Sequence, residues 1–211
     1  MNIMAFIAIE SDRKIMMQVA DILKVFKEYR GDAIVVPGKG ARYWVDMTTR
    51  PELDVPLAPN PAMGGRASFA FGLALAQPHR KVVLFDSEGD MMMALGILPT
   101  IAEHAPKNFY HFLLDNECYA TTGGQPVPNA KKIAYDVIAR GAGYARTFSY
   151  DNLESFQINL ERILSGPGPV FVALKIVPEI QNEPAGRRKR FSTRSREQVR
   201  QDLWKALGIA G

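Results

Sequence analysis

The sequence has one cysteine, Cys118, among 211 residues. A lone thiol cannot close an intrachain disulfide or build a Cys-rich zinc or iron–sulfur site. No apolar run reaches the roughly 18 residues that a membrane-spanning helix needs, so no membrane partner is expected. The opening stretch MNIMAFIAIESDRK has no basic region before its short apolar run and no small-residue cleavage site after it. We read it as part of the mature fold, not as a signal peptide, and expect a reducing cytoplasm as the location. Nucleotide motifs are also missing. Gly38-Lys39-Gly40 starts a dinucleotide pattern, but Tyr43 stands at the third glycine position, and no G-x-x-x-x-G-K-[ST] loop exists. There is no G-x-S-x-G elbow. The three histidines, His79, His104 and His111, fall on different elements without metal-ligand spacing and read as surface or boundary residues.

Excess charge is confined to one segment. The chain carries 26 basic and 22 acidic residues, a net +4. From Arg187 to Arg200 there are seven basic residues and one acid, Glu197, so this stretch is +6 and the rest of the chain is −2. The body is mildly acidic, which argues against nucleic acid as a partner. The basic stretch reads as a solvated tail, a subunit contact or a clamp for an anionic substrate; Arg forks suit carboxylate, sulfonate and phosphonate groups.

A 47% hydrophobic content permits a real core. Short β-branched runs alternate with longer amphipathic ones. Strands are expected at Ala33–Val36, Lys81–Phe85, Phe109–Leu114, Tyr144–Phe148 and Val170–Ile176. Helices are expected at Asp12–Tyr29, Gly64–Ala76, Met91–Glu103 with a kink at Pro99, Lys132–Arg140, Leu153–Leu164 and Arg196–Leu207. Pro178–Ser195 is polar and aperiodic and reads as a loop, mobile or ordered by a partner. The pattern implies an α/β fold: a three-layer, doubly wound, mostly parallel sheet with helices on both faces. Residues 1–180 would form this domain and residues 181–211 a basic C-terminal segment with a terminal helix. Ligands of such sheets bind at the carboxyl ends of the strands, so chemistry is expected after Val36, Phe85 and Leu114.

The loop after Phe85 reads Asp86-Ser87-Glu88-Gly89-Asp90 and enters a helix, and the next strand ends in Leu114-Asp115-Asn116. Backbone N–H groups at a helix start favour phosphate. Adjacent carboxylate and amide oxygens favour Mg²⁺. A divalent metal–diphosphate site is one reading; a solvated acidic turn with an Asx turn at Asp115-Asn116 is the other. Cys118 has no neighbouring histidine to activate it. Met91-Met92-Met93 reads as core packing, and Tyr43 and Trp44 read as helix packing or as ligand stacking.

Three stretches, Pro61-Ala62-Met63-Gly64, KVVLFDSEGDMMMALG and HFLLDNECYATTGGQP, resemble the pyrophosphate-binding domain of thiamine diphosphate enzymes. The resemblance spans about residues 30 to 180. It is nearest to sulfopyruvate decarboxylase small (beta) subunits and the matching half of phosphonopyruvate decarboxylase. It implies a subunit of a thiamine diphosphate-dependent decarboxylase, a carboxy-lyase acting on a small anionic 2-oxo acid, with thiamine diphosphate and Mg²⁺ as cofactors. Glu88 stands where the family has its metal-binding Asp, Asn116 at the amide ligand, and the Cys118 carbonyl at the backbone ligand. Gly89 and Asp90 would offer N–H groups to the diphosphate. Met63 would wedge the cofactor into its bent form, and the Pro61 carbonyl would accept from the cofactor's amino group. Gly38, Ala62, Gly64, Ser87, Tyr119 and Ala120 complete the implied cofactor surface, with Lys39, Thr121 and Thr122 as further lining residues. Two departures stand out. Glu88 is one methylene longer than Asp, which leaves Asp86 and Asp90 as alternative carboxylates. Asp90 replaces a small residue and adds a negative charge that needs a compensating cation. The family's pyrimidine ring is held by a second domain, which carries the activating glutamate, so the resemblance implies a separate pyrimidine-binding subunit. The altered turn leaves a non-catalytic or regulatory subunit of the same fold as the alternative.

Overall fold

Five strands, four of them almost wholly buried, form one parallel sheet in the computed structural model, which describes residues 16–56, 63–184, 187 and 192–209. They are β1 (Ile34–Pro37), β2 (Val82–Ser87), β3 (Phe109–Asp115), β6 (Arg146–Tyr150) and β7 (Val170–Lys175). The order is β1-β2-β3-β7-β6, every pair parallel. The chain steps outward from β1 to β3, leaps to the edge at β6, and returns to place β7 beside β3. Between β3 and β6 it makes a short antiparallel pair, β4 (Cys118–Tyr119) with β5 (Gln125–Pro126).

Strand alternation sends side chains to two separate cores. Ile34, Val36, Val82, Leu84, Phe109, Leu113, Phe171 and Ala173 share one core. That face is covered by α3 (Arg66–Ala76), α5 (Ile97–His104), α6 (Tyr135–Gly141) and α8 (Arg196–Ala206). Their in-between neighbours, such as Val35, Val83, Phe85, Phe112 and Val172, face the other way. There they meet α1 (Val19–Tyr29), α2 (Trp44–Met47) and α7 (Leu153–Ser165). An aromatic column runs through this second core. Phe26 meets Phe85 edge-on at 5.0 Å between centroids, and Phe85 stacks on Phe112 at 5.3 Å. Two faces buried by helices leave no polar side of the sheet, which is why the central strands read as unbroken apolar runs. The doubly wound α/β architecture expected from the sequence is the one observed.

Several boundaries differ from the sequence reading. The expected helix Met91–Glu103 is two helices, α4 (Glu88–Met93) and α5, separated at 94–96. Pro99 is the third residue of α5, in the first turn, where its missing N–H costs no intrahelical bond, so it produces no kink. The N-terminal helix starts at Val19; Met17 instead bridges to Ile176 beside β7. Residues 12–15 of that expected helix lie outside the described residues. Tyr135, not Lys132, opens α6, and the strand expected at 144–148 runs from Arg146 to Tyr150. Part of the basic stretch also lies outside the described residues, but its end forms α8. Ser195 caps that helix with a full capping box to Gln198, and Val199 and Leu203 join the core beside Leu53 and Val55. Ser195→Ala is expected to destabilise by about 1 kcal/mol, with faster amide exchange confined to the first turn of α8.

Among the described residues no helix is long and apolar enough to cross a membrane.

Candidate functional site

At the carboxyl ends of β1, β2, β3 and β7 lies a cleft of about 300 Å³. β2 ends in Asp86-Ser87 and turns at once into α4. Ser87 is extended and caps the helix, its Oγ accepting from the Asp90 N–H at 3.4 Å. Asp86 is buried on the first core face, accepts from the Ser87 N–H, and lies 3.4 Å from His111 Nε2 on β3. Burial pushes its carboxyl above the usual range, with His111 opposing. Asp86 therefore anchors the turn from beneath.

Glu88, the first residue of α4, is fully buried. Its Oε1 accepts from the Cys118 N–H at 3.1 Å, and Asn116 Oδ1 accepts from the same N–H at 3.0 Å. Two side-chain oxygens, from the ends of β2 and β3, thus converge at one amide. Glu88 Oε2 is buried with no hydrogen-bond partner. Burial, and then the nearby Asp115 charge, pushes the Glu88 carboxyl from 4.5 to about 7. The Val127 N–H bonds to the Glu117 carbonyl, so by antiparallel alternation the next residue, Cys118, turns its N–H and C=O away from the hairpin, and the N–H meets Glu88 and Asn116. One carboxylate, one amide and one carbonyl on a common side form an all-oxygen set that suits Mg²⁺, with the rest of its shell left to water and phosphate. The orphaned Glu88 Oε2 is the atom such an ion would satisfy. Among the described residues no three His, Cys, Asp or Glu side chains gather as a metal cluster.

The other residues singled out in the sequence fall around this point. Met63, Ser87, Gly89, Asp90, Asn116, Cys118, Tyr119, Ala120, Thr121 and Lys39 line the cleft. Glu88 does not line the cleft but accepts from Cys118, which does. Pro61 and Ala62 lie outside the described residues. Gly38 is buried rather than lining, its N–H bonded to Phe85 O at 2.7 Å; a Cβ there would come within 2.5 Å of the same carbonyl. Gly64, at φ +80°, packs on α4, where a Cβ would meet Met93 and Ala94 at 3.1 and 3.3 Å. At Gly89 a Cβ would lie 2.9 Å from the Tyr119 ring, so glycine lets that ring close over the turn. Thr122 faces Gln125, bonding within the β4–β5 turn. Burial raises the Cys118 thiol above its ordinary value, with Glu88 and Glu117 adding to it, which keeps the sulfur protonated.

The structure also supplies groups that the sequence reading missed. Arg66 Nη1 donates to Asp90 Oδ2 at 2.6 Å, while Gly64 N–H donates to Asp90 Oδ1 at 2.9 Å. The added acid thus already has its cation. Residues after β7 form another wall, where Glu179 takes Arg42 and the Tyr43 hydroxyl. Arg42 lies over the Tyr43 ring at 4.7 Å. Of the three cations lining the cleft, Lys39 has no carboxylate partner among the described residues.

A comparison with protein families fits this arrangement: the description "Thiamine pyrophosphate enzyme, C-terminal TPP binding domain" matches residues 41–174. The chain belongs to that family. Thiamine pyrophosphate is thiamine diphosphate, so the domain is a thiamine diphosphate-binding domain. The phosphonopyruvate decarboxylase of Streptomyces viridochromogenes is 32% identical over 163 residues, 76% of this chain and 40% of its own length. The sulfopyruvate decarboxylase subunit beta of Methanothermobacter thermautotrophicus is 39% identical over 117 residues, 56% of this chain and 60% of its own length. This chain therefore spans less than two thirds of either relative. Benzoylformate decarboxylase from Polynucleobacter necessarius shares the fold at TM-score 0.64 with 18% identity, over 76% of this chain and 33% of that one.

Proposed function

We propose that this chain supplies the diphosphate- and Mg²⁺-binding half of a thiamine diphosphate-dependent decarboxylase for a small anionic 2-oxo acid. A separate pyrimidine-binding subunit would complete the active site. The convergence of Glu88 and Asn116 oxygens on the Cys118 amide, with one Glu88 oxygen left unpartnered, carries this reading. Glu88, Asn116 and the Cys118 carbonyl would hold the metal. The Gly89 N–H would meet the diphosphate, whereas the Asp90 N–H is already given to Ser87 Oγ, and half-exposed Met63 in the cleft wall would serve as the wedge under the cofactor. The bound cofactor would supply a cationic ring able to accept the electron pair released with carbon dioxide. The protein's part is to bind, orient and exclude water. Lys39, without a carboxylate partner among the described residues, would meet the sulfonate or phosphonate of a three-carbon substrate; the names of the relatives support that substrate class.

The test is reconstitution. The chain is combined with a pyrimidine-binding subunit, Mg²⁺ and thiamine diphosphate, and carbon dioxide release is followed from sulfopyruvate, phosphonopyruvate and pyruvate. The expected result is release from one or both anionic substrates, dependent on both subunits and much slower from pyruvate. Tight cofactor binding without turnover of any of the three would favour a regulatory subunit instead.

A further inference from the structure

Arg66 opens α3 and reaches across the wall of the cleft, its side chain 13% exposed. Its stem runs past Gly38, where a Cβ would stand 3.6 Å from Arg66 Cδ. Nη1 is fixed by Asp90 Oδ2 at 2.6 Å, and Asp90 is itself fixed through the Gly64 N–H. A guanidinium has five N–H donors in a rigid plane. Nε is buried and has no partner, and Nη2 makes no bond among the described residues. Nε and Nη2 share one edge of the plane. An anchored arginine therefore holds two donors unsatisfied among the described residues, on a side chain that lines the same cleft as Ser87, Gly89 and Asp90.

Resting on the functional reading above, we propose that Arg66 is a cofactor-binding residue whose Nε–Nη2 edge grips two oxygens of the diphosphate while Asp90 holds the guanidinium in place. Asp90 is then a positioning residue. This explains the presence together of two residues that are each unfavourable alone. An extra acid beside a diphosphate repels it, and a buried arginine without a counterion is costly. Together they are neutral, and they present a fork matched to phosphate.

Calorimetry of inorganic pyrophosphate with Mg²⁺ on the full chain tests the point without the partner subunit or turnover. Arg66→Met is expected to weaken binding about 10- to 100-fold. Arg66→Lys should recover only part, because it keeps the charge and loses the fork. Arg66→Met leaves Asp90 buried and unpaired, so Arg66→Met/Asp90→Asn is the second variant. It has the net charge of the wild type and should regain thermal stability yet still bind weakly. Wild-type affinity in the double variant, or in Arg66→Met, would overturn the assignment and leave the metal–diphosphate reading standing. Failure of the wild type itself to bind Mg²⁺-pyrophosphate would overturn both.

Discussion

Glu88→Gln is expected to abolish Mg²⁺-dependent cofactor binding while making the cofactor-free protein more stable. The two effects share a cause. Glu88 is fully buried, and one of its oxygens has no partner. Its carboxyl titrates near 4.5 when unfolded and at about 7 when folded. Below about pH 4.5 both states carry the proton and the residue costs nothing. Between there and pH 7 the native state holds more protons than the unfolded state, so stability falls as pH rises. Above pH 7 the full penalty, about 3 kcal/mol, is present. Glutamine never ionises, so the variant should be more stable than wild type by about that amount at pH 8, with the difference vanishing toward pH 4. Urea unfolding across this range measures it. Glutamine also removes the anionic metal ligand. Loss of mere outer-shell partners typically costs 10- to 100-fold in metal affinity, so loss of the carboxylate should cost about 100-fold or more. A stabilised protein that no longer holds Mg²⁺ would identify Glu88 as a residue kept for binding at the expense of folding.

Arg30→Met should be the most destabilising of the substitutions considered. Arg30 is 3% exposed and Asp54 1% exposed, paired at 3.0 Å. The same guanidinium donates to Thr48 Oγ1, Arg50 O and Ala33 O, binding the segment after α2 to the start of β1. Arg194 in turn donates to the Asp54 carbonyl, so the C-terminal helix is tied to the same point. Burial raises the Asp54 carboxyl and Arg30 opposes that rise. Removing the arginine strands the carboxylate, at a cost of about 3–5 kcal/mol. Arg30→Met/Asp54→Leu removes both charges and should return most of the loss, because a buried pair is often worth little more than an apolar replacement. Chemical denaturation of the two variants at pH 7 separates these outcomes.

What could be read from the sequence follows from the range of each signal. The central strands were legible because burial on both faces leaves runs such as KVVLF with no polar interruption. The turn after β2 was legible because acids and glycine at a strand-to-helix junction carry a chemical meaning independent of the fold. Pro99 was misread as a kink because its effect depends on where the helix starts, and the break at 94–96 has no Pro to mark it. Arg66 and Asp90, 24 residues apart in sequence, could be joined only by packing α3 against α4. The need for a cation near Asp90 was visible; its identity was not. The wall after β7 was missed for a similar reason. Glu179 and Gln181 belong to an aperiodic stretch that acquires meaning only because β7 lies beside β3. His111 read as a boundary residue, but it is fully buried against Asp86, a contact set by the register of β2 with β3.

The central claim is that the ends of β2 and β3 form a Mg²⁺–diphosphate site. Titration of thiamine diphosphate into the full chain, with Mg²⁺ and with EDTA, tests it most directly. The account predicts saturable binding that requires the metal and, below pH 7, releases a proton to the buffer as Glu88 ionises to meet the ion. Binding indifferent to EDTA, or binding with Mg²⁺ and no proton release at pH 6, would contradict it.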